Sequence, residues 1–274
     1  MMIVKRTLGE ISSKLLSTLS SKDKVIFTIS DAQKITKTSH TTTRRLISRL
    51  IDKKWLIRLV PGKYLIVPLS AGEKAEHSEN WYVVAKHIIE PNLYYLSHYS
   101  ALDIHEMTTQ PLMTVYITTP KRRKEAKVLG ANFRFLYANP PKLWGIEDVW
   151  VKRTEKVKVS DLERTIVDCL DNPKLCGGIS ELAKGLWVKR SEIDYSKLEK
   201  YIGRFGSKAV AKRLGFLLEL YGIGGEPTVK KLRKFVTASF VLLDSSLPAT
   251  GKYKSSWRIR ENFDPEELKE IIKT

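Results

Sequence analysis

Residues 36–68, TKTSHTTTRRLISRLIDKKWLIRLVPGKYLIVP, decide the reading of this chain. The first half has helical periodicity: Thr43, Leu46, Ile47, Leu50 and Ile51 recur at the i, i+3, i+4, i+7 spacing of a single apolar stripe. Thr41, Arg45, Ser48 and Arg49 then point the other way, with Thr42 and Arg44 on the flanks. That outward face carries three arginines, several hydroxyls and almost no acid. The second half has hairpin composition, because the β-prone runs 55–60 and 64–67 flank Pro61-Gly62-Lys63 and Pro-Gly is strong turn chemistry. A basic helix beside a basic-tipped hairpin predicts a winged helix-turn-helix that reads double-stranded DNA.

The upstream sequence fits that order. Leu8, Ile11, Leu15, Leu16 and Leu19 share one face of a first helix, and VIFTIS (25–30) is a short β-like run. Ser30 or Asp31 can cap the next helix, DAQKIT, and KTSHT turns the chain into the basic helix. Charge is distributed accordingly. The chain of 274 residues has a formal net charge of +18, and residues 1–70, with 14 basic and 4 acidic side chains, account for +10 of it. Such a surface raises affinity for polyanions through counterion release, without by itself conferring sequence specificity. Three amphipathic helices and a hairpin could also form a protein-binding module; the uneven charge and the Thr and Arg content of the third helix favour DNA.

Residues 69–80, LSAGEKAEHSEN, are polar and lack apolar periodicity, which predicts a winged domain over 1–70, a linker over 71–80 and a larger mixed α/β domain over 81–274, an α+β chain overall. In the second domain the patterning predicts helices at 81–89, 97–106, 160–170, 194–205 and 207–221 and strands at 112–119 and 257–259. Ser160 and Glu163 have capping-box spacing. Lys121, Arg122, Arg123 and Lys124, with Lys127 and Arg134 nearby, form a second basic patch, either a solvated loop between strands or a phosphate-facing surface. Nothing aromatic interrupts that run, so base stacking is not indicated there.

Cys169 and Cys176 are too few for a disulfide framework, which suits a reducing cytoplasm. No apolar run approaches the roughly 20 residues of a membrane span, and the N-terminal residues lack a secretory h-region. Gln occurs only at 33 and 110 while Lys and Glu abound, a bias associated with thermophiles.

Catalytic chemistry has little support. Asp161, Glu163 and Asp168 invite a metal-dependent nuclease reading, with the winged domain as targeting module, but no strand-borne carboxylate followed by x-Lys accompanies them. His87, His98 and His105 match no ligand spacing, so no metal and no cofactor are expected. Gly222-Ile223-Gly224-Gly225 follows a helix and lacks the P-loop Lys and Ser/Thr, and is read as a helix stop. The chain is read as non-enzymatic.

Together the winged-helix start, SHYSALDIHEMTTQP with the following VYITT, the SDLERTIVDCL helix leading to GGI, and the KRLGFLLELYG helix resemble the AbiEi-type antitoxins of bacterial and archaeal type IV toxin-antitoxin systems. The resemblance covers nearly the whole chain, and its most specific stretches are core-helix signatures. It implies a repressor whose winged domain binds inverted repeats in its own promoter. It further implies that the C-terminal domain aids repression and counters a nucleotidyltransferase toxin without forming a stable complex with it. Carried onto this sequence, the DNA-contacting residues are Thr41, Thr42, Arg44, Arg45, Ser48 and Arg49 in the helix, with Arg58 and Lys63 in the wing. Asp161, Glu163, Arg164 and Asp168 match the family's helix and are assigned structural roles, including an Arg164–Asp168 ion pair at i, i+4. A stand-alone regulator without a toxin is the alternative.

Overall fold

The computed structural model describes residues 7–72, 77, 79–89, 93–111 and 113–273. Of the predicted linker, residues 73–76 and 78 lie outside the described residues, as does Leu112 at the start of the predicted strand 112–119. Helices and strands are mixed throughout, in agreement with an α+β chain. Contacts divide the chain into two units, one comprising 1–92, 127–131 and 150–157 and the other the remainder. The helix at 81–88, assigned from sequence to the second domain, groups with the first unit.

The first unit runs α1 (Glu10–Ser20), β1 (Ile26–Thr28), α2 (Ile29–Thr36), α3 (His40–Asp52), β2 (Leu56–Val60), β3 (Lys63–Ile66) and α4 (Trp81–Ile88). The predicted stripe of α3 is used as such: Thr43, Ile47 and Leu50 are buried and Leu46 and Ile51 pack at the edge of the same core. Leu15 and Leu19 of α1, Phe27 of β1, and Trp55, Leu56 and Tyr64 of the hairpin complete it. The three strands form one antiparallel sheet in the order β1-β3-β2, with Ile26 opposite Leu65 and Leu56 opposite Ile66. Gly62 takes φ +81° at the hairpin turn, a conformation open to glycine at little cost, so Pro61-Gly62 reverses the chain as the sequence predicts.

The second unit contains a helical core and most of a mixed sheet, whose residues 127–128, 131, 150–152 and 155–157 group with the first unit. The six strands are β4 (Tyr95–Leu96), β5 (Thr114–Thr119), β6 (Ala126–Val128), β7 (Ala131–Tyr137), β8 (Ile146–Lys152) and β9 (Glu155–Ser160), ordered β6-β7-β5-β4-β9-β8. β5 runs parallel to β7 and antiparallel to β4. α5 (Tyr99–Ile104) lies between β4 and β5 in sequence, and five helices follow the sheet: α6 (Leu162–Asp171), α7 (Ile179–Val188), α8 (Tyr195–Phe205), α9 (Lys208–Tyr221) and α10 (Gly225–Arg233). α6 is buried from Glu163 through Leu170, because it packs against α7, α8 and α9 at once. Gly206 and Gly222 end α8 and α9 in left-handed conformations, so the Gly222-containing run is a helix stop, as read. A small sheet, β10-β12-β11 (Val241–Leu242, Ile259–Glu261, Lys252–Lys254), and α11 (Pro265–Ile271) complete the unit.

Two caps differ from expectation. The N-cap of α2 is Thr28, not Ser30 or Asp31: the Asp31 amide donates to Thr28 Oγ1 at 3.2 Å, and the Thr28 amide donates to Asp31 Oδ2 at 2.8 Å. α6 is capped by Asp161, whose Oδ1 accepts the Arg164 amide at 2.8 Å. Ser160 is the last residue of β9 and its hydroxyl lies 2.8 Å from that of Thr165.

Candidate nucleic-acid interface

The turn from α2 into α3 is clasped by side-chain hydroxyls. Lys37 adopts φ +54° as the left-handed C-cap of α2. Thr36 Oγ1 donates to the Ala32 carbonyl at 2.9 Å and lies 2.9 Å from Thr38 Oγ1, which in turn is 2.9 Å from Thr43 Oγ1. Thr43 donates to the Ser39 carbonyl at 2.9 Å, and Ser39 caps α3 by accepting the Thr42 amide at 3.2 Å. Thr43 is thus a buried polar residue whose hydroxyl is satisfied, which is why a threonine can occupy the apolar stripe.

With α3 so oriented, Thr41, Thr42, Arg44, Arg45, Ser48 and Arg49 are all exposed on one side. No ion pair with any described carboxylate neutralises Arg44, Arg45 or Arg49, so three guanidinium groups stand on a convex helix with their charge available. Lys37 and His40 are exposed at the start of the same face, an extension that a helix-only periodicity count misses because both precede the apolar stripe. In the hairpin, Arg58 is exposed on β2. Lys63 behaves differently. It is half-buried, and its ammonium donates a short hydrogen bond to the His87 carbonyl at the end of α4.

The second basic patch is a loop between β5 and β6, with Lys121, Arg122, Arg123 and Lys124 all exposed. Aromatic residues absent from the run itself are supplied by β7: the Arg122 guanidinium lies 4.7 Å from the Tyr137 ring centroid and that of Arg123 lies 5.9 Å from Phe135. Arg134 pairs with Glu125 at 3.1 Å, and Lys127 is exposed on β6.

The carboxylates of α6 are engaged in internal contacts. Asp161 Oδ2 accepts the Tyr201 hydroxyl at 2.8 Å and pairs with Lys197 at 3.2 Å. Glu163 accepts the Asp194 amide at 2.9 Å and pairs with Lys197 at 2.7 Å, so it holds α8 to α6 and is not the capping-box partner of Ser160. Asp168 pairs with Arg164 at 2.9 Å, the i, i+4 bridge expected from the sequence, and accepts the Tyr95 hydroxyl at 3.1 Å. His87, His98 and His105 reach Glu155, the Ser97 hydroxyl and the Ser160 carbonyl respectively. Among the described residues no three His, Cys, Asp or Glu side chains are grouped as a metal site. No helix among them is long and apolar enough to cross a membrane.

These features describe an α+β chain with an arginine-bearing helix in its first unit. Comparison of the sequence with protein-family models and with curated proteins gives no match. The structure is similar to the crystal structure of the RV2827C protein from Mycobacterium tuberculosis, with a TM-score of 0.74 over 99% of this chain and 97% of that one at 16% identity. At that identity the likeness is one of fold.

Proposed function

We propose that the first unit is a winged helix-turn-helix and that the protein is a DNA-binding transcriptional repressor. The observation that carries this reading is the unneutralised face of α3, where Arg44, Arg45 and Arg49 share an exposed surface with Thr41, Thr42 and Ser48 beside the exposed Arg58 of the hairpin. Arginine forks match guanine O6 and N7 in the major groove, while hydroxyls serve phosphates or base edges. The wing grips the adjacent backbone.

On the resemblance to AbiEi-type antitoxins, the repressor acts in the cytoplasm on inverted repeats in its own promoter and counters a nucleotidyltransferase toxin without a stable complex. This role is non-enzymatic, and the engagement of Asp161, Glu163 and Asp168 in internal hydrogen bonds and ion pairs supports it over metal-dependent cleavage. Titration of the DNA upstream of the gene against the full chain tests the repressor. Specific, salt-sensitive binding lost in Arg45→Ala/Arg49→Ala is expected, and equal affinity for unrelated duplex overturns it. Co-expression with a nucleotidyltransferase encoded beside it tests the antitoxin: unrelieved toxicity leaves a stand-alone regulator.

A further inference from the structure

A further concentration of basic charge lies in residues 230–260. Residues 230–260 hold eight Lys and Arg against a single acid, Asp244, a net +7 in a chain whose residues beyond 70 total only +8. Asp244 is buried, accepting the Ile179 amide at 2.7 Å, so its charge does not offset the surface. Lys230, Lys231 and Arg233 are paired with Glu226, Glu199 and Glu219. Lys234, Lys252, Lys254, Arg258 and Arg260 form no ion pair among the described residues.

On and beside the small sheet these cations alternate with aromatic rings. The Arg260 guanidinium lies 5.1 Å from the Tyr253 ring centroid, Tyr253 meets Phe240 edge to face at 4.8 Å, and the Arg258 guanidinium lies 5.3 Å from Phe240. Tyr253 and Arg260 are directly opposed in the β11–β12 pairing, which fixes that end of the row. Tyr253 is 60% exposed and Phe240 36%. Two large rings left open to solvent among unpaired cations are unfavourable on a surface with nothing to cover them. Rings offer stacking faces to any base, and the cations offer contacts to the phosphates between bases.

We propose that the β10–β12 sheet is a binding platform for single-stranded nucleic acid, with bases stacking on Tyr253 and Phe240 and the backbone tracking Lys252, Lys254, Arg258 and Arg260. The platform shares no residue with the arginine face of α3 and does not depend on the reading of that helix. Duplex DNA fits it less well, because paired bases do not present their faces to side chains.

The test uses the full chain with labelled oligouridylate and oligothymidylate of about 12 nucleotides and an unrelated duplex of equal length. Both single strands should bind more tightly than the duplex, and the tighter of the two identifies RNA or DNA as the ligand. Tyr253→Ala/Phe240→Ala should weaken single-strand binding at least about five-fold, with Tyr253→Phe retaining it. Lys252→Ala/Lys254→Ala should lower the salt slope by about 1.4. Arg45→Ala/Arg49→Ala should leave single-strand binding intact, so failure of the promoter reading and failure of this one are distinguishable. The platform is overturned if the duplex binds as tightly as the single strands, or if the aromatic double variant, melting as the wild type does, binds them unchanged.

Discussion

Arg164 and Asp168 form an ion pair one helical turn apart on α6, Nε to Oδ1 at 2.9 Å, with side chains only 2% and 5% exposed. Tyr95 closes the group, donating to Asp168 and accepting from Arg164, each at 3.1 Å. The guanidinium plane lies 4.0 Å from the Trp144 ring centroid, and its Nη1 has no hydrogen-bond partner among the described residues. Removing one charge from a buried pair strands the other in low dielectric. Arg164→Met should therefore cost about 3–5 kcal/mol by urea denaturation. The joint change Arg164→Met/Asp168→Leu should recover most of that loss.

Asp168, which is buried, and His98, which is half-buried, should oppose each other in acid. Burial pushes the Asp168 carboxyl from 3.8 up to about 6, outweighing the attraction of Arg164. The native state then holds the proton that the unfolded chain releases, so this stabilisation is full below pH 3.8 and is lost as pH rises through about 6. Burial also depresses His98 from 6.5 to about 4, assisted by Arg164 and opposed by Asp171. Its contribution is present above pH 6.5 and is lost as pH falls through about 4. Melting temperatures across this window should rise with pH more steeply in Asp168→Asn than in the wild type, and less steeply in His98→Asn.

The β2–β3 hairpin should divide energetically between its two cations. Arg58→Ala removes an exposed charge and should lower the salt slope of promoter binding by about 0.9 if it contacts a phosphate. Lys63→Ala should leave that slope unchanged, because its ammonium is directed to the His87 carbonyl, and should instead cost about 1 kcal/mol of stability. On the helix, Arg45→Ala should weaken binding by about 1–3 kcal/mol and relax the preference at one base pair, read by titrating single-base operator variants.

Gly215 of α9 should tolerate no side chain. A Cβ built there would lie 2.1 Å from the Trp257 ring, which is wholly buried against the helix. Gly215→Ala should cost about 1–3 kcal/mol through overpacking, measured by thermal or denaturant melting. A smaller ring in Gly215→Ala/Trp257→Phe should return part of it.

The sequence was most legible where one local signal sufficed. The stripe of α3, the Pro61-Gly62 turn and the Gly222 stop after α9 are all found where patterning puts them. The caps of α2 and α6 depart from expectation because two registers satisfy the same local rule. Thr28 with Asp31 competes with Ser30 or Asp31 acting alone, and Ser160 has the right spacing to Glu163. Tertiary structure decides: Ser160 ends a strand, and Glu163 is taken by the Asp194 amide. The direction of Lys63 was invisible, since its partner is a backbone carbonyl of a helix beyond the hairpin. Predicted strand 257–259 begins two residues late, at Ile259, because Trp257 fills the core in a turn. The row of Arg260, Tyr253, Phe240 and Arg258 is not legible from spacing, because its members come from two strands and two connecting segments.

Trp257 also has a bearing on the order in which the chain acquires structure. Its ring fills the place beside Gly215 that no residue of α9 can fill, yet it is made only after the whole of α9 and α10. The α3 core, made from residues 15–66, is complete in sequence long before that. The first unit's core can therefore condense on the nascent chain while the helices around α9 wait for core side chains made after them. A product cut short before residue 257 would carry an intact α3 core joined to a second unit that lacks the ring beside Gly215.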